Sequence, residues 1–175
     1  MRAFAIIIAL LSTGGLFAQG PVFPKLEGET ADGLNVELPR TTSGRMTVIG
    51  IAYGQQAQQH LESWYEPAYL RFVAKHGLFA GSYEVDVWFV PLFTGLNKAA
   101  YEPTLKKFRK SAHPEIVKHV LFSKGDVAPL KDAFGMADKG TPYFFVLDGQ
   151  GRVVYRTEGA FKHDKLDKIE EFLMD

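Results

Sequence analysis

Along the chain, segments of alternating apolar and polar residues give way to unbroken apolar runs and to apolar positions three and four apart. FPKLEGETADGLNVELP reads as a short hairpin: Asp32-Gly33 is a turn pair, and Leu34, Val36 and Leu38 alternate with polar residues as a half-buried strand does. Met46 to Ala52 is a continuous apolar run, which predicts a central strand covered on both faces. Helical spacing follows at Leu61, Trp64, Tyr65, Ala68 and Phe72, with Pro67 bending the axis and Gly77 ending the helix. Val85 to Leu92 is a second buried strand. Glu102 to Ala112 predicts a helix with Pro103 in its first turn, where proline is tolerated. His119 to Phe122 is a short strand, and Asp126 is placed to cap a helix that runs through Phe134 to Gly135. TPYFFVLDGQGRVVYRTEG predicts two strands joined at Asp148-Gly149-Gln150-Gly151. Asp164 to Met174 is a closing helix with Leu166, Ile169, Phe172 and Leu173 on its apolar side.

The order is hairpin, β, α, β, α, short β, α, β, β, α. Strands that alternate with helices run parallel, and a terminal hairpin adds antiparallel partners. The expected class is therefore α/β: a mixed central sheet with helices on both faces and an N-terminal β-hairpin extension.

The first residues follow a different pattern. Arg2 is the lone early charge, Ala3 to Leu11 is unbroken apolar, and Ser12 to Gly20 is small and polar apart from Leu16 and Phe17. That is the order of a secretory signal. Its apolar run is about half of the ~20 residues a spanning helix needs. The expectation is a signal over residues 1–18, cleavage after Ala18, and a single domain over 19–175, exported to the periplasm or secreted, with no stable membrane span.

At 175 residues, 46% hydrophobic and 23% charged, the chain can fill one full core. Twenty basic residues balance twenty acidic ones, so no basic surplus points to a nucleic-acid partner. The cluster Lys106, Lys107, Arg109 and Lys110 reads as the solvated face of a helix. No pair among His60, His76, His113, His119 and His163 has the spacing of zinc ligands. Ser63 and Ser82 lack nucleophile-elbow glycines, and there is no glycine-rich phosphate loop. Neither a metal nor a cofactor is expected. Trp64, Tyr65, Tyr69 and Phe72 read as core packing, over an arc wide enough to leave part of the stripe exposed as a contact patch. The chain has no cysteine, so disulfide exchange and thiolate attack lie outside its own chemistry.

Within this element order, Gly140-Thr141-Pro142 ahead of YFFVLDGQGRVVYRTEGAF resembles the thioredoxin superfamily, in particular its exported TlpA and peroxiredoxin-like branch. In that branch a threonine-proline pair precedes the penultimate strand, and Gly159 matches the glycine after the last strand. The resemblance runs from Phe23 to the C-terminus. A fainter one is to the thioredoxin-like assembly factor family of mitochondrial ATP synthase. It is carried by FPKLEGETADGLNVELP, the tryptophan-containing helix and HVLFSKGDVAPLKDAFGM, and Pro142 departs from it.

The resemblance implies two thiol positions where the first central strand meets its helix. Counting from the end of that strand places them at Gln55 and Gln58; counting back from Pro67 places them at Gln59 and Glu62. The strand count is preferred, because the reactive loop belongs at the carboxyl end of the strand beside Pro142. Neither count leaves a nucleophile, so no catalytic residue is assigned. The resemblance also implies a cis Pro142 that turns the Thr141 backbone toward an extended peptide. The expected groove is Tyr53, Gly54, Gln55, Gln58, Thr141 and Pro142; Tyr53 reads first as packing at the loop edge, the other reading being a hydroxyl that bonds a ligand or activates a bound thiol. The implied function is a redox-inactive exported protein that binds an extended or partly folded protein segment, like a chaperone or assembly factor. The alternative is an accessory of an exported thiol-redox or peroxide-handling system whose partners supply the cysteines.

Overall fold

The computed structural model describes residues 20–74 and 84–174; the expected signal over 1–18 and the expected helix stop at Gly77 lie outside them. Strands β1 (Leu26–Thr30) and β2 (Asn35–Leu38) pair antiparallel. Gly33 turns the hairpin at φ +93°, a left-handed conformation that strains any side chain, and the Thr30 hydroxyl accepts the Leu34 amide at 2.9 Å.

Strand β3 (Met46–Ala52) is buried at every position after Met46. It pairs parallel with β4 (Val85–Pro91). Strand β5 (Leu121–Phe122) is antiparallel to β1 and touches β4 through single parallel bridges at Phe89–Val120 and Leu92–Ser123. Strands β6 (Tyr143–Leu147) and β7 (Val153–Glu158) complete the central sheet in the order β4-β3-β6-β7, with β6 antiparallel to both neighbours. The second sheet runs β2-β1-β5.

The helices are α1 (Gln55–Glu62), α2 (Tyr65–Ala68), continued by a π turn over Tyr69–Val73, α3 (Tyr101–Ser111), α4 (Pro114–Val117), α5 (Ala128–Phe134) and α6 (His163–Met174). Alternation along β3 divides the core in two. Val48 and Ala52 join Trp64, Phe89, Leu105, Phe144, Leu166 and Ile169 on one face. Ile49 and Ile51 join Phe23, Leu130, Phe134 and Phe145 on the other.

The helix expected through Leu61 and Phe72 breaks earlier than at Pro67. Helix α1 ends at Glu62, and the Trp64 amide bonds the Leu61 carbonyl at 3.0 Å. A proline ring excludes the carbonyl four positions before it, which here belongs to residue 63. Pro67 itself sits in the first turn of α2, where its missing N–H has no helical partner to lose. Trp64 is fully buried at this break, 4.0 Å from the Phe144 ring, and its Nε1–H donates to the Gly159 carbonyl at 3.1 Å.

Candidate functional site

Strand β3 ends and β6 begins on one rim of the central sheet, where Ile51 pairs with Tyr143. The expected groove residues fall on this rim. Tyr53, Gly54, Gln55 and Gln58 follow β3, and Thr141 and Pro142 lead into β6. Gly54 is extended and precedes the first residue of α1, Gln55, which is exposed; Gln58 is half-buried. Gln59 and Glu62 lie one and two turns farther along α1 and are exposed.

The two lips of the rim touch. A Cβ on Gly54 would lie 2.1 Å from the Lys139 carbonyl oxygen, and one on Gly140 would lie 3.3 Å from Gln56 Oε1. Only glycine at position 54 lets the Lys139–Gly140 turn lie against the start of α1.

Asp138 shapes that turn. Its carboxylate accepts the Gly140 N–H and the Thr141 hydroxyl, each at 2.7 Å. These two bonds, the Gly140 amide first, hold its carboxyl below the ordinary carboxylate range. The Tyr143 hydroxyl accepts the Asp138 N–H at 2.9 Å and donates to the Asp138 carbonyl at 3.1 Å. Sequence reasoning missed Gln56, Asp138 and Tyr143. Asp138, two residues before glycine and three before threonine, carried a readable signal, since aspartate caps such turns.

Two expectations need correction. Tyr53 is buried, and its hydroxyl donates to the Met136 carbonyl at 2.6 Å. Burial first, then Tyr143 and Asp138, raise its pKa above the ordinary phenol value. Its proton is committed inward, so Tyr53 braces the rim through the Met136 carbonyl. The Thr141–Pro142 bond is trans; the cis proline bond among the described residues is Leu38–Pro39. Thr141 is positioned instead by its hydroxyl bond to Asp138, and Pro142 by its carbonyl, which accepts the Gly159 N–H at 2.8 Å.

The main-chain N–H and C=O of Thr141 have no partner among the described residues. The sheet edges are treated differently. On β2 the Thr41 hydroxyl accepts the Glu37 N–H at 3.2 Å and donates to the Glu37 carbonyl at 2.8 Å. On β7 the Val153 N–H reaches the Pro21 carbonyl at 3.0 Å, and Lys165 Nζ donates to the Glu158 carbonyl at 2.6 Å. Such capping blunts an edge against strand addition.

Neither a protein-family profile nor a curated protein sequence matches the chain. Solved structures do. The thioredoxin domain of a thiol-disulfide oxidoreductase from Bacteroides vulgatus aligns at 18% identity and a TM-score of 0.59, over 89% of this chain and 98% of that one. The fold is thioredoxin-like. StoA from Bacillus subtilis aligns at 15% identity and 0.55, over 86% and 99% of the two chains. The pneumococcal exposed lipoprotein thioredoxin from Streptococcus pneumoniae aligns at 15% and 0.55, over 85% and 99%. Identities this low establish the fold alone. This thioredoxin-like chain has no cysteine, so thiol–disulfide exchange of the kind named for the first neighbour has no thiol to use here. No helix among its described residues is long and apolar enough to cross a membrane.

Proposed function

We propose that this protein is a redox-inactive, exported thioredoxin-fold binder of an extended or partly folded protein segment, in the manner of a chaperone or assembly factor. The observation that carries the reading is the unpaired main chain of Thr141, on the rim where Gln55 and Gln58 open α1. A passing strand pairs with Thr141 by main-chain bonds, each worth about 0.5–1.5 kcal/mol net. Each glutamine amide adds two donors and an acceptor suited to the same peptide groups. So few bonds give weak, sequence-tolerant capture, which suits a chaperone better than an enzyme.

The test is an NMR titration of the whole protein with a carboxymethylated, permanently unfolded protein. The reading expects saturable shifts at Gly140 and Thr141 and at the Gln55 and Gln58 side-chain amides. Shifts confined to other faces would overturn it. Insulin disulfides should stay unreduced in the same preparation. Mass spectrometry of the exported protein should find Gln19 at its N-terminus; an intact Met1 in the membrane fraction would contradict export by a cleaved signal. The thiol-disulfide names of the neighbours favour a second reading, an accessory whose partners supply the cysteines. It requires captured partners to carry a reactive cysteine pair, whereas the segment-binding reading requires none.

A further inference from the structure

The helical face carries a cleft of about 490 Å³ between the end of α1, α2, α3 and α4, within the ~300–1,000 Å³ of small-molecule sites and lined by none of the six expected groove residues. Its walls are apolar where the Tyr65 ring packs on Phe89 at 4.6 Å and meets Phe108 edge-on at 6.3 Å, with Ile116 closing the α4 side. The Tyr65 hydroxyl has no hydrogen-bond partner among the described residues. It is not sealed from solvent in the way that the unpartnered Trp88 Nε1 is. The hydroxyl of this cleft-lining residue therefore keeps some accessible surface and has its donor unused among the described residues. Burial, with the Glu62 carboxylate second, raises the Tyr65 pKa far above the ordinary phenol value, so the group remains a hydrogen-bond donor at any physiological pH.

Charge supplies the second half of the argument. Lys107 lines the same cleft and forms no ion pair among the described residues, whereas Arg109 on the same helix is paired with Glu29 at 2.7 Å. A desolvated donor and an unpaired ammonium flank one apolar floor. An acceptor that carries negative charge and is attached to an apolar body satisfies both. Glu62 is the lining group that opposes an anion.

We propose that this cleft binds a small apolar carboxylate, an aromatic or short branched acid. Its oxygen accepts the Tyr65 hydroxyl near Lys107, and its apolar body lies on Phe108 and Ile116. The site is separate from the rim and does not depend on segment binding.

Phenylacetate is the probe, titrated into the full chain and followed by NMR. Saturable shifts are expected at Tyr65, Thr104, Phe108 and Ile116. Tyr65→Phe keeps the ring and removes the donor, and should weaken binding about tenfold. Lys107→Met should weaken it severalfold, Glu62→Gln should strengthen it, and neutral phenylacetamide should bind less well than phenylacetate. The absence of saturable shifts up to the solubility limit would overturn the proposal. So would equal affinity in a Tyr65→Phe protein with an unchanged circular-dichroism spectrum, or equal binding of the amide and the acid.

Discussion

The two ends of α1 are held by different physics. At its C-terminal end Leu61 and Trp64 are fully buried, and the indole lies between Phe144 at 4.0 Å and the edge of Phe161 at 5.4 Å. At its N-terminal end Gln55 and Gln56 are exposed, and hydrogen bonds of Asp138 and Tyr143 shape the facing turn. Packing of the first kind is insensitive to what the rim does. A thioredoxin-like frame can thus keep its core while its rim carries glutamines and no thiol.

The contrast breaks most visibly at Trp64. Trp64→Ala removes a fully buried ring and should cost about 3–5 kcal/mol in denaturant unfolding. A loss under about 1 kcal/mol would mean that the α1–β6 contact is not what holds this face. At the other end, Gly54→Ala forces a methyl against a backbone carbonyl, and overpacking of this kind costs about 1–3 kcal/mol. Amide exchange should accelerate at residues 138–141 and stay unchanged at Phe144, whereas unchanged exchange at the turn would deny the contact.

Asp138 gives the next effect, in pH. Its carboxyl pKa is lowered in the folded state, so its contribution is fully present above the ordinary carboxylate pKa near ~4 and is lost as pH falls through the lowered value. Asp138→Asn should be less stable than the parent at neutral pH, with the difference shrinking in acid; a difference that grows in acid would have the wrong sign. The smallest effect is expected for Gln55→Ala and Gln58→Ala. Each should change stability by under ~0.5 kcal/mol while lowering affinity for the unfolded protein.

Much of the frame was legible because burial on both faces leaves a plain mark in sequence. Met46 to Ala52 is the observed β3, and the pattern at Leu166, Ile169 and Leu173 marks the buried side of α6. The strand expected from His119 is shorter, since β5 pairs as a strand over Leu121–Phe122 only. Short α4, beginning at Pro114, has no buried residue and so leaves no hydrophobic period to read. Of the aromatic stripe, Trp64 and Phe72 are buried, while Tyr65 and Tyr69 keep part of their surface open. The rim was legible as a place but not as a geometry. Glycine at 54 and threonine-proline at 141–142 mark where the end of β3 meets the start of β6. The contact between Gly54 and Lys139, the inward turn of Tyr53 and the trans bond before Pro142 depend on partners more than 80 positions apart or on a peptide geometry that residue type leaves open.

The central claim is that segments are captured at the rim. It is tested most directly by placing a benzophenone photo-crosslinker at Gln55 in one protein and at exposed Glu66 on α2 in another. Both proteins are then irradiated in the exported fraction. The account predicts that partner segments crosslink to position 55 and much less to position 66, and that Thr141→Pro, which removes the unpaired N–H, abolishes the product at 55. Crosslinks concentrated at 66, or undiminished at 55 in the Thr141→Pro protein, would contradict it.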